Sequence, residues 1–531
     1  MSTTVTRRTI LAGTAASAAA ALLAACGGSN ATDTPKPAAG GATTAPTTSA
    51  AAATRPAGSA PAGTTAPAAA ATTSTTASGS SPAGTTAASG SVAAGTVAPV
   101  ASTGTGTLKP KAGADAFKGK KLNYYQKVQY YKSVQDGIGG GIKTYTESVG
   151  GGVDLSLAST DRGPAVQKLQ AGQPFDLEDD IQVSPQQEIT LGLVTDVTDL
   201  TKQLTDAYGA VMPIVPNGLT RDGKYYAVPY FTSSDAWFVR KDWMAAKGID
   251  PATLDTYEKC RDAALAISDP SKNQFGWGFS PYAVGDATSV ITHCMASYGG
   301  AIQDKTGTKV VFNSPETVAA ITFFSDIYTN PKYKNMLPTG YESWDGSGNN
   351  MAWLNGTIGM TSNAFTLYAK SKDDKNPVFD KTFVLQRPKG PGVKESLRGG
   401  QLGYFLIPKG AKNQDLAVET IKYLMQPEQW SLIAKNGGGL ILPAYESQWK
   451  DPFFKSDPNF ATLEGQVRDP SGYNQQYYPG PAGPGVDGVI ANKVIENMMA
   501  AIIQKGQKVA DAVKDAHDQA VKIYEQFGLK Q

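Results

Sequence analysis

Every tryptophan, tyrosine and phenylalanine of this 531-residue chain lies beyond residue 114. The stretch before it, residues 27–113, is Ala, Thr, Ser, Gly and Pro with little else, and up to Thr107 its only charged residues are Asp33, Lys36 and Arg55. Such a segment has too little apolar surface to offset the entropy of ordering it, so it is expected to be a disordered linker. As a flexible coil it spans on the order of 50 Å end to end. Its Thr and Ser content also permits O-glycosylation. The foldable material is residues 115–531. That is too long for one small core, and two lobes are expected.

The first twenty-six residues have a different character. Arg7-Arg8 precede a short apolar run that ends Leu23-Ala24-Ala25-Cys26-Gly27. A basic start, a short apolar segment and a small-residue processing site make an export signal. The paired arginines resemble a twin-arginine signal, and the Leu-Ala-Ala-Cys ending resembles a bacterial lipobox, whose Cys is acylated. The apolar run is shorter than the roughly 20 residues a membrane-spanning helix needs. The reading is an extracytoplasmic protein, on a cell surface or in a periplasm, held to the membrane by lipid on Cys26.

Charge and cysteine usage narrow the function further. Beyond residue 107 the chain carries 44 Lys and Arg against 45 Asp and Glu. No basic footprint for nucleic acid is present. Besides Cys26, only Cys260 and Cys294 occur; they form either one disulfide or two buried thiols. No Cys-x-x-Cys exists and His293 and His517 stand apart, so neither a metal nor a cofactor is expected.

Along residues 115–531, Lys120 to Tyr125 reads as an opening strand. Gly137 to Gly152 reads as a glycine-rich stretch around a short helix from Ile142 to Ser148. Val153 to Leu157 alternates as a strand, Pro164 to Ala171 reads as a helix stopped by Gly172, and Phe175 to Leu177 as a short strand. Strand, helix, strand at this spacing predicts a parallel α/β sheet. Glu178-Asp179-Asp180 would then follow a strand at its C-terminal end, where loops of such sheets face the binding crevice. Further strands are expected at Gly223 to Tyr230 and Ala236 to Arg240, and helices at Lys241 to Lys247 (capped by Gly248), Tyr257 to Ser268, Val489 to Gln504 and Val509 to Phe527. Ser314-Pro315-Glu316 has the form of a helix N-cap. Gly437-Gly438-Gly439 lacks the following Lys-Ser/Thr of a phosphate loop.

Four segments carry a resemblance to a family. Asp222-Gly223-Lys224-Tyr225-Tyr226-Ala227-Val228-Pro229-Tyr230, with Arg240-Lys241-Asp242 about ten residues on, is the first. Ala352-Trp353-Leu354-Asn355-Gly356-Thr357-Ile358-Gly359-Met360 is the second, with Thr357 where the family usually has Lys. Tyr404-Phe405-Leu406-Ile407-Pro408-Lys409-Gly410, followed by a helix from Asp415 to Met425, is the third; the C-terminal helix pair is the fourth. In this order they resemble the solute-binding proteins of ABC importers, in the maltose-binding-protein-like group. The resemblance implies an α/β fold of two lobes with a cleft and hinge strands between them, one lobe from 115–230 plus 402–445 and the other from 235–400 plus 447–531. It implies a monomer that closes on a carbohydrate, an oligosaccharide or glycoside, and presents it to the membrane permease without turnover.

Candidate ligand contacts follow. Glu178, Asp179 and Asp180 suit paired sugar hydroxyls, or form a solvated acidic turn. Tyr282 matches a position where maltose-binding relatives place an aromatic platform. Asn363 and Phe365 lie in Met360 to Phe365, a loop the family uses at its cleft, though the family's Trp is absent there. Phe231, Thr232 and Ser233 sit at the lobe crossing, and Trp344-Asp345 in a Gly/Ser/Asn loop. Tyr473, Tyr477 and Tyr478 border a Gly-Pro loop. A polyamine or another small polar solute is the alternative ligand. A secreted glycoside hydrolase would need two suitably spaced carboxylates, but no hydrolase signature is present. A stalked adhesin would fit the linker without needing a hinged core.

Overall fold

The computed structural model describes Gly104 and residues 106–531, except 128–131, 159–162, 181–183, 283–284, 345–346, 393–401 and 470–475. The export segment with Arg7, Arg8 and Cys26, nearly all of the linker, Asp345 and Tyr473 lie outside the described residues. No helix among the described residues is long and apolar enough to cross a membrane.

Among the described residues, ten strands build two sheets. They are β1 (Lys121–Lys127), β2 (Gly152–Ala158), β3 (Leu177–Asp180), β4 (Val228–Thr232), β5 (Asp235–Arg240), β6 (Phe275–Trp277), β7 (Ile358–Ala364), β8 (Thr382–Leu385), β9 (Leu402–Leu406) and β10 (Leu442–Pro443). The first sheet has the order β10-β4-β9-β3-β1-β2, the second β8-β5-β7-β6. β1 runs parallel to both β2 and β3, as the strand-helix-strand spacing predicts. β9 then pairs antiparallel with β3 and β4, so the sheet is mixed. In the second sheet β5 is antiparallel to β8 and β7, while β6 and β7 are parallel.

Only Ser233 and Ser234 separate β4 in one sheet from β5 in the other. Side chains alternate across a strand, and β5 uses both faces. Ala236 and Phe238 join the first hydrophobic core, whereas Trp237 and Val239 join the second. The helices Pro484–Ala491, Val494–Lys505 and Val509–Gln526 contribute to the second core through Val489, Met498, Ile502 and Val513.

The glycine-rich stretch is a correction. Instead of a short helix flanked by loop, one helix runs Lys132–Ser148 straight through Gly137 to Gly141. Two of its glycines face neighbouring helices: a Cβ on Gly141 would stand 2.8 Å from Leu424, and one on Gly137 would stand 3.3 Å from Asn436. Close approach of the helix Gln414–Leu424 outweighs the roughly 1 kcal/mol that a helical glycine costs. A second correction concerns Lys224 to Tyr230, which is two strands. Lys224–Tyr225 closes a small hairpin with Thr220–Arg221, and β4 begins at Val228. Other expectations hold closely: Ser314 caps its helix by accepting from the Thr317 N–H, and Gly172 and Gly248 take the left-handed conformation just past their helices.

Cys260 and Cys294 are both buried free thiols.

Candidate functional site

Two polar clusters lie where strands end or cross. The first is on β3. Glu178, Asp179 and Asp180 are neither a solvated turn nor a loop; they are the strand itself, each 3% exposed or less. Their neighbours on β1 and β9 explain how carboxylates tolerate this burial. Asp179 Oδ1 accepts from the Tyr124 hydroxyl at 2.7 Å and from the Lys127 backbone N–H at 3.0 Å. Burial, reinforced by Asp179, pushes the Tyr124 phenol well above its usual range, which keeps it the donor. Asp180 Oδ1 faces the Lys127 ammonium at 3.4 Å, and its Oδ2 lies 3.4 Å from the Tyr404 hydroxyl. Lys127 closes β1 and Asp180 closes β3, so this ion pair marks the C-terminal edge of the parallel strands.

The second cluster begins where the chain enters the second sheet. Asp235, the first residue of β5, binds Arg387: Nη2 donates to Asp235 Oδ2 at 2.6 Å and lies 3.0 Å from Ser289 Oγ. Ser289 Oγ also donates to Asp235 Oδ2. Asp286, in the first turn of the helix Gly285–Tyr298, lies close by. Its Oδ2 accepts from Asn349 at 3.2 Å and from Asn363 at 3.3 Å. Asn363 also donates to Asn350 Oδ1. Burial first, and then the Asp235 charge, push the Asp286 carboxyl up to about 6; the Asn349 hydrogen bond and Arg387 act in the opposite direction. The arrangement presents several donors and acceptors on a chain crossing, with one guanidinium balancing one of the two carboxylates.

The candidate residues divide accordingly. Asn363 belongs to the second cluster and is half-buried at the end of β7, so Met360 to Ala364 is strand where a loop was expected. Ser233 is buried in the crossing, between Thr232, whose hydroxyl donates to the Pro443 carbonyl, and Ser234, which donates to Gln466. Phe231 is core: its ring packs edge-on to Tyr230 and fills the space over Gly403. Phe365 is core too, 1% exposed and packed on Tyr368 and Phe460. Tyr282 sits in the second core, 4% exposed, instead of forming an open platform. Trp344 is half-buried, its ring lying over Gly348. Tyr477 is buried, with its backbone carbonyl accepting from Gln303, and Tyr478 follows it. Sequence reasoning missed Lys127, Asp235, Asp286, Asn349 and Arg387. Each stands alone in sequence, and no spacing links them.

The helix Gln186–Thr190 after β3 packs against the helix Pro484–Ala491, and the Tyr477 side chain hydrogen-bonds Ser184. Elements around the first sheet thus touch C-terminal helices of the second core.

Two mixed sheets joined by a crossing of two residues, with polar clusters at the strand ends, define the two-lobe α/β fold of periplasmic solute-binding proteins. Residues 142–462 match the bacterial extracellular solute-binding protein family, and the chain belongs to that family. Solved structures share the fold. A Thermotoga lettingae ABC-transporter solute-binding protein bound to α-D-tagatose is 19% identical, with a TM-score of 0.62 over 76% of this chain and 100% of that one. Maltose-bound MalE3 of T. maritima is 20% identical, with a TM-score of 0.63 over 76% and 99%. A ribitol-bound solute-binding protein of Agrobacterium radiobacter K84 is 20% identical, with a TM-score of 0.62 over the same shares. No curated protein sequence matches the chain.

Proposed function

We propose that this chain is a lipid-anchored, extracytoplasmic binding protein that captures a carbohydrate between two lobes and delivers it to an ABC importer. The lobes are 115–230 plus 402–445 and 235–400 plus 447–531. This division is supported by the strands, since all those of the second sheet fall within the latter pair of ranges. Closure would be a hinge motion about the crossing at Ser233 and Ser234. Lipid on Cys26 and the linker after it would hold the lobes near the permease.

The observation that carries the carbohydrate reading is the cluster around Asp235 and Asp286. It offers carboxylate acceptors, amide donors and a hydroxyl within one partly buried network. Sugar hydroxyls both donate and accept, so such a mixture suits them. A polyamine suits it less, because Asp235 is already paired with Arg387. The solved relatives bound to tagatose, maltose and ribitol point the same way.

The test is thermal unfolding of the chain from Asp115, screened against mono- and oligosaccharides, polyols and polyamines. A ligand at about 100 times its dissociation constant stabilises by roughly 2.7 kcal/mol. A shift with a sugar or polyol, and no product formed, is the expected result. A shift with polyamines alone would refute the carbohydrate reading, and turnover would refute pure binding. Cys26→Ser in the full chain should release the protein from the membrane fraction.

A further inference from the structure

From Gly27 to Thr107 the chain has no Leu, Ile, Met, Phe, Tyr or Trp, and its only basic residues stand as Lys36-Pro37 and Arg55-Pro56. Trypsin-like proteases select Lys or Arg as the residue carrying the scissile carbonyl. They do not cut before proline, whose nitrogen lacks a hydrogen and whose φ is fixed. Chymotrypsin-like proteases select large apolar residues instead. The tether therefore offers neither class a bond until Leu108–Lys109 and Lys111–Ala112, since Lys109 is again followed by a proline, Pro110. Both of these bonds lie where the chain is fastened to the fold. The Gly106 N–H donates to the Ala207 carbonyl at 3.2 Å. Leu108 donates its N–H to the Tyr208 hydroxyl at 3.3 Å, and its carbonyl accepts from the Gln426 side-chain amide. Lys111 donates its N–H to Glu419 Oε2 at 2.6 Å, and its carbonyl accepts from the Tyr145 hydroxyl at 3.1 Å. These partners are held in place by the fold: Glu419 is buried, with Oε1 bound by Lys422 at 2.9 Å, and the Tyr145 ring stacks on Tyr423 at 5.1 Å. Further on, Phe117 is buried and its N–H donates to the Val149 carbonyl at 2.8 Å. The partners named all fall within 115–230 and 402–445, so the fastening engages one lobe and leaves the other free to move.

We propose that residues 106–117 are a guard strap, which by docking Leu108 and Lys111 shields the first bonds of the tether open to trypsin-like and chymotrypsin-like proteases, and so keeps the binding lobes on the membrane. The role in retention rests on the lipid-anchor reading; the shielding does not. A serine protease must bring the scissile carbonyl oxygen into its oxyanion hole. The scissile carbonyl at Lys111 is the one Tyr145 binds, and that at Leu108 is the one Gln426 binds, so neither enters a protease while the strap is docked. The Lys111 side chain itself is exposed, which puts the shielding in its backbone. Cleavage then requires the strap to peel away, and its rate falls with the peeled fraction. Composition protects the tether up to Thr107, and docking takes over where the composition changes.

The experiment treats the chain from Gly27 with trypsin and reads the cut sites and their rates by mass spectrometry. A synthetic peptide of residues 106–117, which has no lobe to dock on, supplies the unshielded rate at Lys111. Cleavage after Lys111 in the folded chain is expected to be slower than in the peptide by about 100-fold or more, with no cut after Lys36 or Arg55. Tyr145→Phe with Glu419→Leu removes both Lys111 partners; it should melt cooperatively and be cut after Lys111 about tenfold faster than wild type, or more. A wild-type chain cut after Lys111 as fast as the peptide would overturn the shielding, whether or not the double variant folds. So would a folded double variant cut there no faster than wild type. In the membrane fraction, trypsin should release the double variant and spare the wild type. Wild type found soluble before trypsin is added would refute the anchor, and with it the role in retention, while the rate comparison still decides the shielding.

Discussion

Asp286 offers a sharp thermodynamic handle, because its carboxyl is held near pKa 6 against an ordinary value of 3.8. The folded state therefore holds this proton more tightly than the unfolded chain does. Its contribution to stability is full below about pH 4 and is lost as the pH rises through 6. The difference of roughly two pKa units corresponds to at most about 3 kcal/mol, since one unit is about 1.4 kcal/mol. Asp286→Asn removes the titration and keeps an oxygen that can accept from Asn349 or Asn363. Wild type and variant should melt together near pH 4, and the variant should be the more stable by up to about 3 kcal/mol at pH 8. Unfolding entropy for a folded part of this size is on the order of 0.9 kcal/mol per degree, so the gap should approach about 3 °C. Calorimetric scans from pH 4 to 8 would read it. A constant offset across that range, or a variant melting below wild type at pH 8, would refute the assignment of Asp286 as a buried acid pressed by Asp235.

Two further substitutions probe the same half of the molecule. Arg387→Met strands Asp235 beside Asp286 and should cost about 3–5 kcal/mol, seen as a melting temperature lower by several degrees; Arg387→Met with Asp235→Leu should recover most of it. Gly276→Ala places a Cβ 1.9 Å from the Ala264 carbonyl oxygen, so β6 must move off the helix Tyr257–Ile267. A loss of about 3 kcal/mol or more is expected in chemical denaturation, and a loss under 1 kcal/mol would show that the contact relaxes freely.

Local signals read true where the chemistry is local. The Ser314 cap and the left-handed stops at Gly172 and Gly248 depend on near neighbours in the chain, and each appears in the structure; Val153 to Leu157 also forms a strand, but Leu155 and Leu157 are exposed, so the half-buried alternation expected there does not hold. The stretch from Gly137 to Gly141 misleads because Gly141 and Gly137 answer to Leu424 and Asn436, nearly three hundred residues away. Candidate contacts fared by the same rule. Asn363 joins a polar cluster, while Phe231, Phe365 and Tyr282 are claimed by cores whose other members are distant in sequence.

Composition alone separates the aromatic-free first 114 residues from the foldable remainder, and the strand-helix-strand order alone calls for a parallel start to the first sheet, because both follow from what neighbouring residues can bury or pair. The placement of Glu178 to Asp180 inside a strand, the facing of Lys127 and Asp180, and the meeting of Asp235, Asp286, Asn349, Asn363 and Arg387 were decided by tertiary structure. Charges tolerate burial only beside partners, and those partners come from strands and helices that sequence distance does not connect.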